Sequence, residues 1–549
     1  MNDSRKATDR LLAIARSLQH PDSNYGLPEE FMRKLRAALL SDPLLPKSNP
    51  SISLWQEPAH PTVSNIQSPA LPRYADIVVI GSGITGCSVT KALLEDDSLD
   101  STSQIVVLEA RTLTSGATGR NGGQLVSPVG HLYNTMCKRH GEDTAKEMCR
   151  FSFMNIERIM GMLDELDPEL RDSSEIRHVY KVMVAGDEET WKASKESLNS
   201  FREAIPSHQT IHRVTEQDGL AKVWLFDFER SSLRSIESTD LSCKDFNIKS
   251  GYGVIDHPAG AVWPYRLITG IFERLLVQYH DRLSIETNTP ATAIKYINST
   301  ISDGSSMPDY PYIIETPRGD IRAKQVIHCT NANAAHLLRP LIGRLYPYRG
   351  TMSVQKAGPY LENVGSSRSW SYLTKSTLDP VSERFDGGLY YLQQHATTGD
   401  IWVGTDYSNV FDVITSDDTA VPGHSVEALL KFLPNYFVNG WPEYERPELK
   451  GAWTGLQGHT SDGLPLVGKL PKSVSGRGGD GEWIAGGYSG YGMDKAWLTG
   501  EALARMMTGK GVPEWLPKAF LLTEQRLERD ITVEKSVAKW VSIAKTGDW

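Results

Sequence analysis

The residues with the clearest chemical meaning are Gly81-Ser82-Gly83-Ile84-Thr85-Gly86, a G-x-G-x-x-G run. It follows the apolar stretch Asp76-Ile77-Val78-Val79-Ile80 and opens a helix-like segment from Ile84 to Leu94. In that context Gly81 permits a tight turn. Gly83 lets backbone approach a pyrophosphate, and Gly86 lets helix and strand pack closely. The helix start adds unpaired N–H groups and a positive dipole end for the anion. Glu109 stands 23 positions beyond Gly86, at the end of the next apolar run, followed by Ala110 and Arg111. An acid there accepts hydrogen bonds from ribose hydroxyls and repels a 2′-phosphate, so FAD or NAD is favoured over NADP.

A second segment separates the two. Ser115-Gly116-Ala117-Thr118-Gly119-Arg120-Asn121-Gly122-Gly123-Gln124 has four glycines in ten residues, the mark of backbone packed against something flat. It resembles the second flavin-contacting loop of the D-amino acid oxidase and sarcosine oxidase superfamily. More narrowly, the chain resembles fungal members of that superfamily with a long N-terminal extension, which suggests secondary metabolism. Three later segments carry the same resemblance. They are Pro258–Tyr265 with Thr289-Pro290-Ala291, then Val326–Ala332, then Trp453-Thr454-Gly455 through Gly486–Met493.

The resemblance spans about residues 74–510 and implies non-covalent FAD. The expected contacts are residues 81–86, Glu109, Ala110, Arg111, Ser115, Ala117, Thr118, Arg120, Asn121, Gly122, Gly123, Gln124, Ala291, Thr330, Asn331, Gly487, Ser489, Gly490, Tyr491, Gly492 and Met493. It also implies oxidation of a C–H bond beside an amine nitrogen, with hydride passing to flavin N5 and oxygen accepting the electrons. The alternatives are a dehydrogenase serving a carrier, or a flavin protein without turnover. One position departs from the pattern. Where sarcosine oxidase-like enzymes have a carboxylate-binding Lys, this chain has Asp494. It would hold an ammonium, or else cap the helix that follows. Tyr491, Asp494 and His131 are the catalytic candidates. His459, Tyr390, Tyr391, Gln393 and Arg349 are open between site and packing roles. A flavin linkage through Cys is not expected, because no cysteine follows Cys329.

These residues need a scaffold. Asp76–Ile80 and Gln104–Leu108 read as buried parallel strands flanking a helix, a β-α-β unit. Helical patterns occupy 142–165 and 186–204, strands 178–184, 311–315 and 325–329, and a hairpin 388–405. The fold class is α/β, with a Rossmann-type FAD-binding lobe and a discontinuous α+β substrate lobe built on a mixed or antiparallel sheet. The FAD lobe is assigned 74–172, 255–345 and 450–510, and the substrate lobe 173–254 and 346–449. Residues 1–73 form an extension with short helices at 6–18 and 28–40 and a Pro/Ser-rich link, expected to wrap and not to build a core. Residues 511–549 form a helical tail.

Composition closes off other classes. The 549 residues are 40% hydrophobic, 23% charged and carry net charge -9 without a basic run. Nucleic acid and membranes are therefore not expected partners; the partner that the resemblance implies is a small-molecule amine. Five scattered cysteines give neither a disulfide framework nor a thiolate metal site. No secretory segment or peroxisomal tripeptide is evident, so a cytoplasmic location is expected.

Overall fold

In the computed structural model, residues 25–216, 224–227, 232–235, 246–297, 309–443 and 445–547 are described. The helix expected at 6–18 lies outside them. The run Tyr74–Ile80 is a central strand, flanked in parallel by Ile105–Leu108 and by the end of Gly319–His328. Strands covered on both faces have no reason to alternate, which is why Val78, Val79, Val106 and Val107 are consecutive and all buried. Leu283–Glu286 extends the sheet on one side. Ala293–Tyr296 and Tyr312–Thr316 extend it on the other. Glu482–Gly486 and Leu466–Lys469 complete its eight strands.

Helix Ile84–Leu94 is buried on nearly every side, sandwiched between this sheet and helix Ala496–Met507. The two helices cross closely because position 500 is glycine. A Cβ there would sit 2.7 Å from the Ser88 side chain. Ser88 donates to the Trp497 carbonyl at 2.6 Å.

A second, nine-stranded sheet runs in the order Leu449–Thr460, Leu345–Gln355, Ile401–Thr405, Leu389–Gln394, Arg368–Leu373, Arg177–Ala185, Gly253–Ala261 and Gln124–Leu125, with Arg213–Glu216 off the path. All its pairs are antiparallel except Arg368–Leu373 with Arg177–Ala185, so it is mixed. The expected hairpin is present, with Leu389–Gln394 paired to Ile401–Thr405. Two strands expected in the first lobe hydrogen-bond here instead: Gly253–Ala261 and Leu449–Thr460. They are long enough to cross from one lobe to the other, and local patterning does not reveal which sheet a strand joins.

The helix expected at 28–40 is present as Glu29–Leu39, while the Pro/Ser-rich link corrects an expectation by contributing buried Trp55 to a core. Helix Glu29–Leu39 buries Phe31, Met32, Leu35 and Leu39 in one core with Tyr346, Tyr348 and the C-terminal helix Val533–Thr546, including Trp540. It is core, because its apolar residues fall on one helical face with a ready apolar partner. Further on, Trp55 is buried and stacks on Trp402 at 3.8 Å between ring centroids. Among the described residues no helix is long and apolar enough to cross a membrane.

Candidate active site

A cleft of about 770 Å³ runs between the two sheets, from the glycine turn after Ile80 to the face of the second sheet. At one end, Gly81 has φ +109° and no room for a side chain, since a Cβ would meet the Cys329 carbonyl oxygen at 2.6 Å. A Cβ on Gly86 would lie 2.0 Å from the Gly81 oxygen. Gly86 therefore sets strand–helix contact and does not reach the cleft. Gly83 precedes helix Ile84–Leu94 and offers no cap of its own; the Ile84 N–H donates to the Thr118 hydroxyl at 3.0 Å, and Gly83, Ile84 and Thr85 line the cleft at the helix start. Opposite, the Thr330 hydroxyl is buried and has no hydrogen-bond partner among the described residues. A buried hydroxyl is costly to leave unpaired, and a pyrophosphate oxygen at this helix start would satisfy it. Glu109 lines the same end. Its carboxylate accepts from the Ser82 N–H and hydroxyl at 3.2 and 2.7 Å and from the Arg111 N–H at 3.0 Å. These residues fit a dinucleotide.

The second glycine loop is held from behind. The Trp453 and Trp55 indole N–H groups donate to consecutive carbonyls, Arg120 at 3.0 Å and Asn121 at 2.5 Å. Arg120 donates to the Ser51, Thr454 and Ser115 carbonyls at 2.8–2.9 Å. Arg111 pairs with buried Asp418 at 2.8 Å. Both guanidinium groups are thus spent on scaffold, although the two residues border the cleft. Ser115 and Gly123 lie behind it: the Ser115 carbonyl accepts from both arginines, and Gly123 packs against Val262, Gln393 and Trp55. The segment 42–47 crosses the cleft at the Glu109 and Thr330 end, where Leu45 and Pro46 line it, Arg111 donates to the Lys47 carbonyl and Asn333 to the Leu44 carbonyl. Ala110, Ala117, Thr118, Asn121, Gly122, Gln124, Ala291 and Asn331 also border it.

The third loop closes the far end. Gly487 (φ +76°) is packed behind it and donates to Asn331 Oδ1 at 2.9 Å. Ser489, Gly490, Tyr491, Gly492 and Met493 face the cleft, and Tyr491 is 40% exposed within it. Asp494 departs from both expectations. The following helix starts at Ala496, and no side chain caps it. Both Asp494 oxygens lie within 2.8 Å of the Lys495 ammonium, and Oδ2 also accepts from the Ser152 hydroxyl. Its charge is neutralised within the protein.

The second sheet supplies the wall facing these loops. Alternation along Leu389–Gln394 holds. Tyr391 and Gln393 turn toward the loops, while Tyr390 stacks on Phe432 on the other face, 4.1 Å between centroids. The Tyr391 ring lies under Gly122, and Tyr348 stacks on His459 at 4.2 Å. Arg349 points away, donating to the Asp417 carbonyl and pairing with Asp412. Burial lowers the His131 pKa to about 3, with His257 and Lys181 beside it adding to the shift. Burial also pushes His459 well below its usual value. Lys181, which donates to Gln124 Oε1 and the Trp370 carbonyl, is likewise pushed well below the usual lysine value.

Sequence reading missed Asp406, Gln457, Tyr348 and Lys181 on this wall. The available signal was position: Asp406 directly follows a predicted hairpin strand, at a sheet end where side chains reach a cleft. Among the described residues no His, Cys, Asp and Glu side chains group to hold a metal.

Residues 76–506 match the FAD dependent oxidoreductase (DAO) family, and the chain belongs to it. It is an FAD-dependent oxidoreductase. Among curated proteins it is similar to gamma-glutamylputrescine oxidoreductase of Escherichia coli (strain K12), 23% identical over 436 residues, covering 79% of this chain and 84% of that protein. Among solved structures it is similar in fold to glycine oxidase from Geobacillus kaustophilus, with TM-score 0.55 and 16% identity, covering 82% of this chain and 99% of the other. L-proline dehydrogenase from P. horikoshii gives TM-score 0.54 and 17% identity, covering 84% and 99%.

Proposed function

We propose that the protein oxidises the C–N bond of an amine or amino-acid-like substrate to an imine, with molecular oxygen accepting the electrons and yielding hydrogen peroxide. The observation that carries the reading is the far end of the cleft. There Tyr348, Tyr391 and Tyr491 surround a space between the second and third glycine loops, and His131 and His459 beside it are held neutral by burial. Oxidation requires the free amine, and a wall without imidazolium charge does not repel it or its protonated form. The named activity of the Escherichia coli relative points to the same substrate class.

The residues divide the work. The turn at residues 81–86, with Thr330 and Glu109, would hold the dinucleotide. The backbone of residues 120–124 and 489–493 would hold its ring, non-covalently. FAD, when bound, supplies the hydride acceptor at N5. The tyrosines orient the substrate and keep water from the reacting carbon.

The test is anaerobic mixing of the yellow holoprotein with a panel of primary and secondary amines, followed by air. Bleaching of the flavin band by an amine, with peroxide formed on reoxidation, is the expected result. A flavin that no amine reduces removes the reading. Bleaching without peroxide would move the electrons to a carrier.

A further inference from the structure

The wall of the second sheet holds an anionic group that none of the glycine loops uses. Gly350, Gln457 and Tyr391 come from three of four consecutive strands of the sheet and Asp406 from the turn after the fourth, and all line the cleft. Because position 350 is glycine, the other three side chains close over a shallow hollow in the backbone that is too tight for a Cβ unless a neighbour shifts. A Cβ built there would lie 3.1 Å from Asp406 Oδ1, 3.3 Å from Gln457 Nε2 and 3.8 Å from the Tyr391 hydroxyl. Three polar groups from separate elements thus converge on one point. Asp406 Oδ1 is buried and has no hydrogen-bond partner among the described residues.

The hollow sits between the two loops. The Tyr391 ring reaches Gly122 on one side, and Gln457 Oε1 lies 3.0 Å from a Cβ position on Gly490 on the other. Among the described residues no arginine or lysine is recorded in an ion pair with Asp406, in contrast to Asp494 and Asp418.

We infer that Asp406 is the anchor and proton acceptor for the substrate's reacting nitrogen, which enters as an ammonium ion. This rests on the amine-oxidising reading above. A carboxylate oxygen without a donor, walled by aromatic rings, has the two features that recognise an alkylammonium: a charge-assisted acceptor and π faces. The substrate class that follows is a primary or secondary amine with no carboxylate beside the reacting carbon, since a carboxylate would be set against Asp406. In the proton step the N–H bond breaks and an O–H bond forms on Asp406. The nitrogen lone pair is freed, with no change in oxidation state. Burial raises the Asp406 pKa to about 7, the Tyr348 hydroxyl facing it lowers it and Asp386 raises it, which places it where it can take that proton.

The test titrates FAD-loaded protein at about pH 8 with n-butylammonium, butyrate and n-butanol, read by calorimetry and by the flavin difference spectrum. The expected result is binding of the ammonium in preference to the other two. The ammonium should bind roughly 10- to 100-fold more weakly to Asp406→Asn and close to normally to Asp406→Glu. If Asp406→Asn does not fold, Gly350→Ala replaces it; it keeps the carboxylate but fills the hollow and should weaken the ammonium alike. Unchanged ammonium affinity in the substituted protein overturns the inference, as does butyrate or butanol binding as well as the ammonium. If amines still bleach the flavin in that case, amine oxidation stands and only the role of Asp406 falls. If no amine bleaches the wild-type flavin, both fall.

Discussion

The ring of Tyr391 lies so close beneath Gly122 that a Cβ at position 122 would sit 2.7 Å from its Cδ2 atom. The second sheet therefore touches the second glycine loop directly, and the shape of one sets the shape of the other. Gly122→Ala should cost about 1–3 kcal/mol of stability from overpacking and reduce FAD content on purification. Tyr391→Leu in the same chain should restore part of both. A double-mutant cycle on thermal unfolding checks it, and additivity of the two changes would show that the contact carries no coupling.

Thr330 gives a cleaner probe of the cofactor end. Its hydroxyl is unpaired among the described residues, so Thr330→Val should leave the apoprotein as stable as before, or slightly more so. FAD affinity should fall by roughly 2- to 10-fold, the worth of one neutral hydrogen bond. Fluorescence titration of apoprotein with FAD measures it. Unchanged affinity would mean the hydroxyl does not meet the cofactor.

Trp55 tests the strap behind the second loop. Trp55→Phe keeps an aromatic ring against Trp402 but removes the N–H that Asn121 accepts. The expected cost is about 1 kcal/mol, together with faster FAD release. Trp55→Ala empties a buried aromatic site and should cost about 3–5 kcal/mol. Stopped-flow release of FAD after dilution separates the variants.

Asp406 predicts a pH signature in stability. Its folded pKa, about 7, lies above the usual carboxylate value of 3.8, because burial disfavours the charged form. Between these values the folded state binds more protons than the unfolded state, so this group makes stability fall as pH rises. The penalty is absent below about pH 4 and complete above about pH 7. Asp406→Asn apoprotein should therefore melt higher than wild type at the alkaline end and equal to it at the acid end. Scanning calorimetry across that window decides, and a constant difference would place the effect elsewhere. Tyr348, Tyr391 and Asp386 face the same carboxylate, so their variants serve as controls.

Denaturation should release the flavin. Cys329, the cysteine bordering the cleft, has its thiol pushed up to about 12 by burial and is a poor nucleophile. After acid precipitation the yellow colour should pass to the supernatant. A yellow pellet would mean a covalent bond.

The sequence was legible where chemistry is local. The turn from Gly81 to Gly86, its strand and its helix follow from spacing alone, since backbone geometry dictates each glycine. Alternation likewise separated Tyr391 from Tyr390. Asp494 was misread because its partner, Lys495, is its neighbour in the chain, and only the folded loop shows that the two side chains neutralise each other. Asp406 was invisible for the opposite reason. It becomes a site only when Gly350 and Gln457, from distant strands, leave a hollow beside it. The proline-rich link was misjudged because the aromatic partners of Trp55, namely Trp263, Trp402 and Trp453, meet it only in the folded chain; the helix before the link was legible, but its partner some 500 residues away was not.

That pairing has a consequence for synthesis. Helix Glu29–Leu39 leaves the ribosome early, yet the surface it covers is completed by Trp540, Val541 and Ile543. At about 5–20 residues per second, the interval is roughly half a minute or more. Phe31, Met32 and Leu35 gain their first core neighbours only with Tyr346 and Tyr348, and their last with the C-terminal helix. The nascent chain thus carries a partly uncovered apolar face over that interval, and a chaperone able to hold it would raise the yield of active protein without touching the active site.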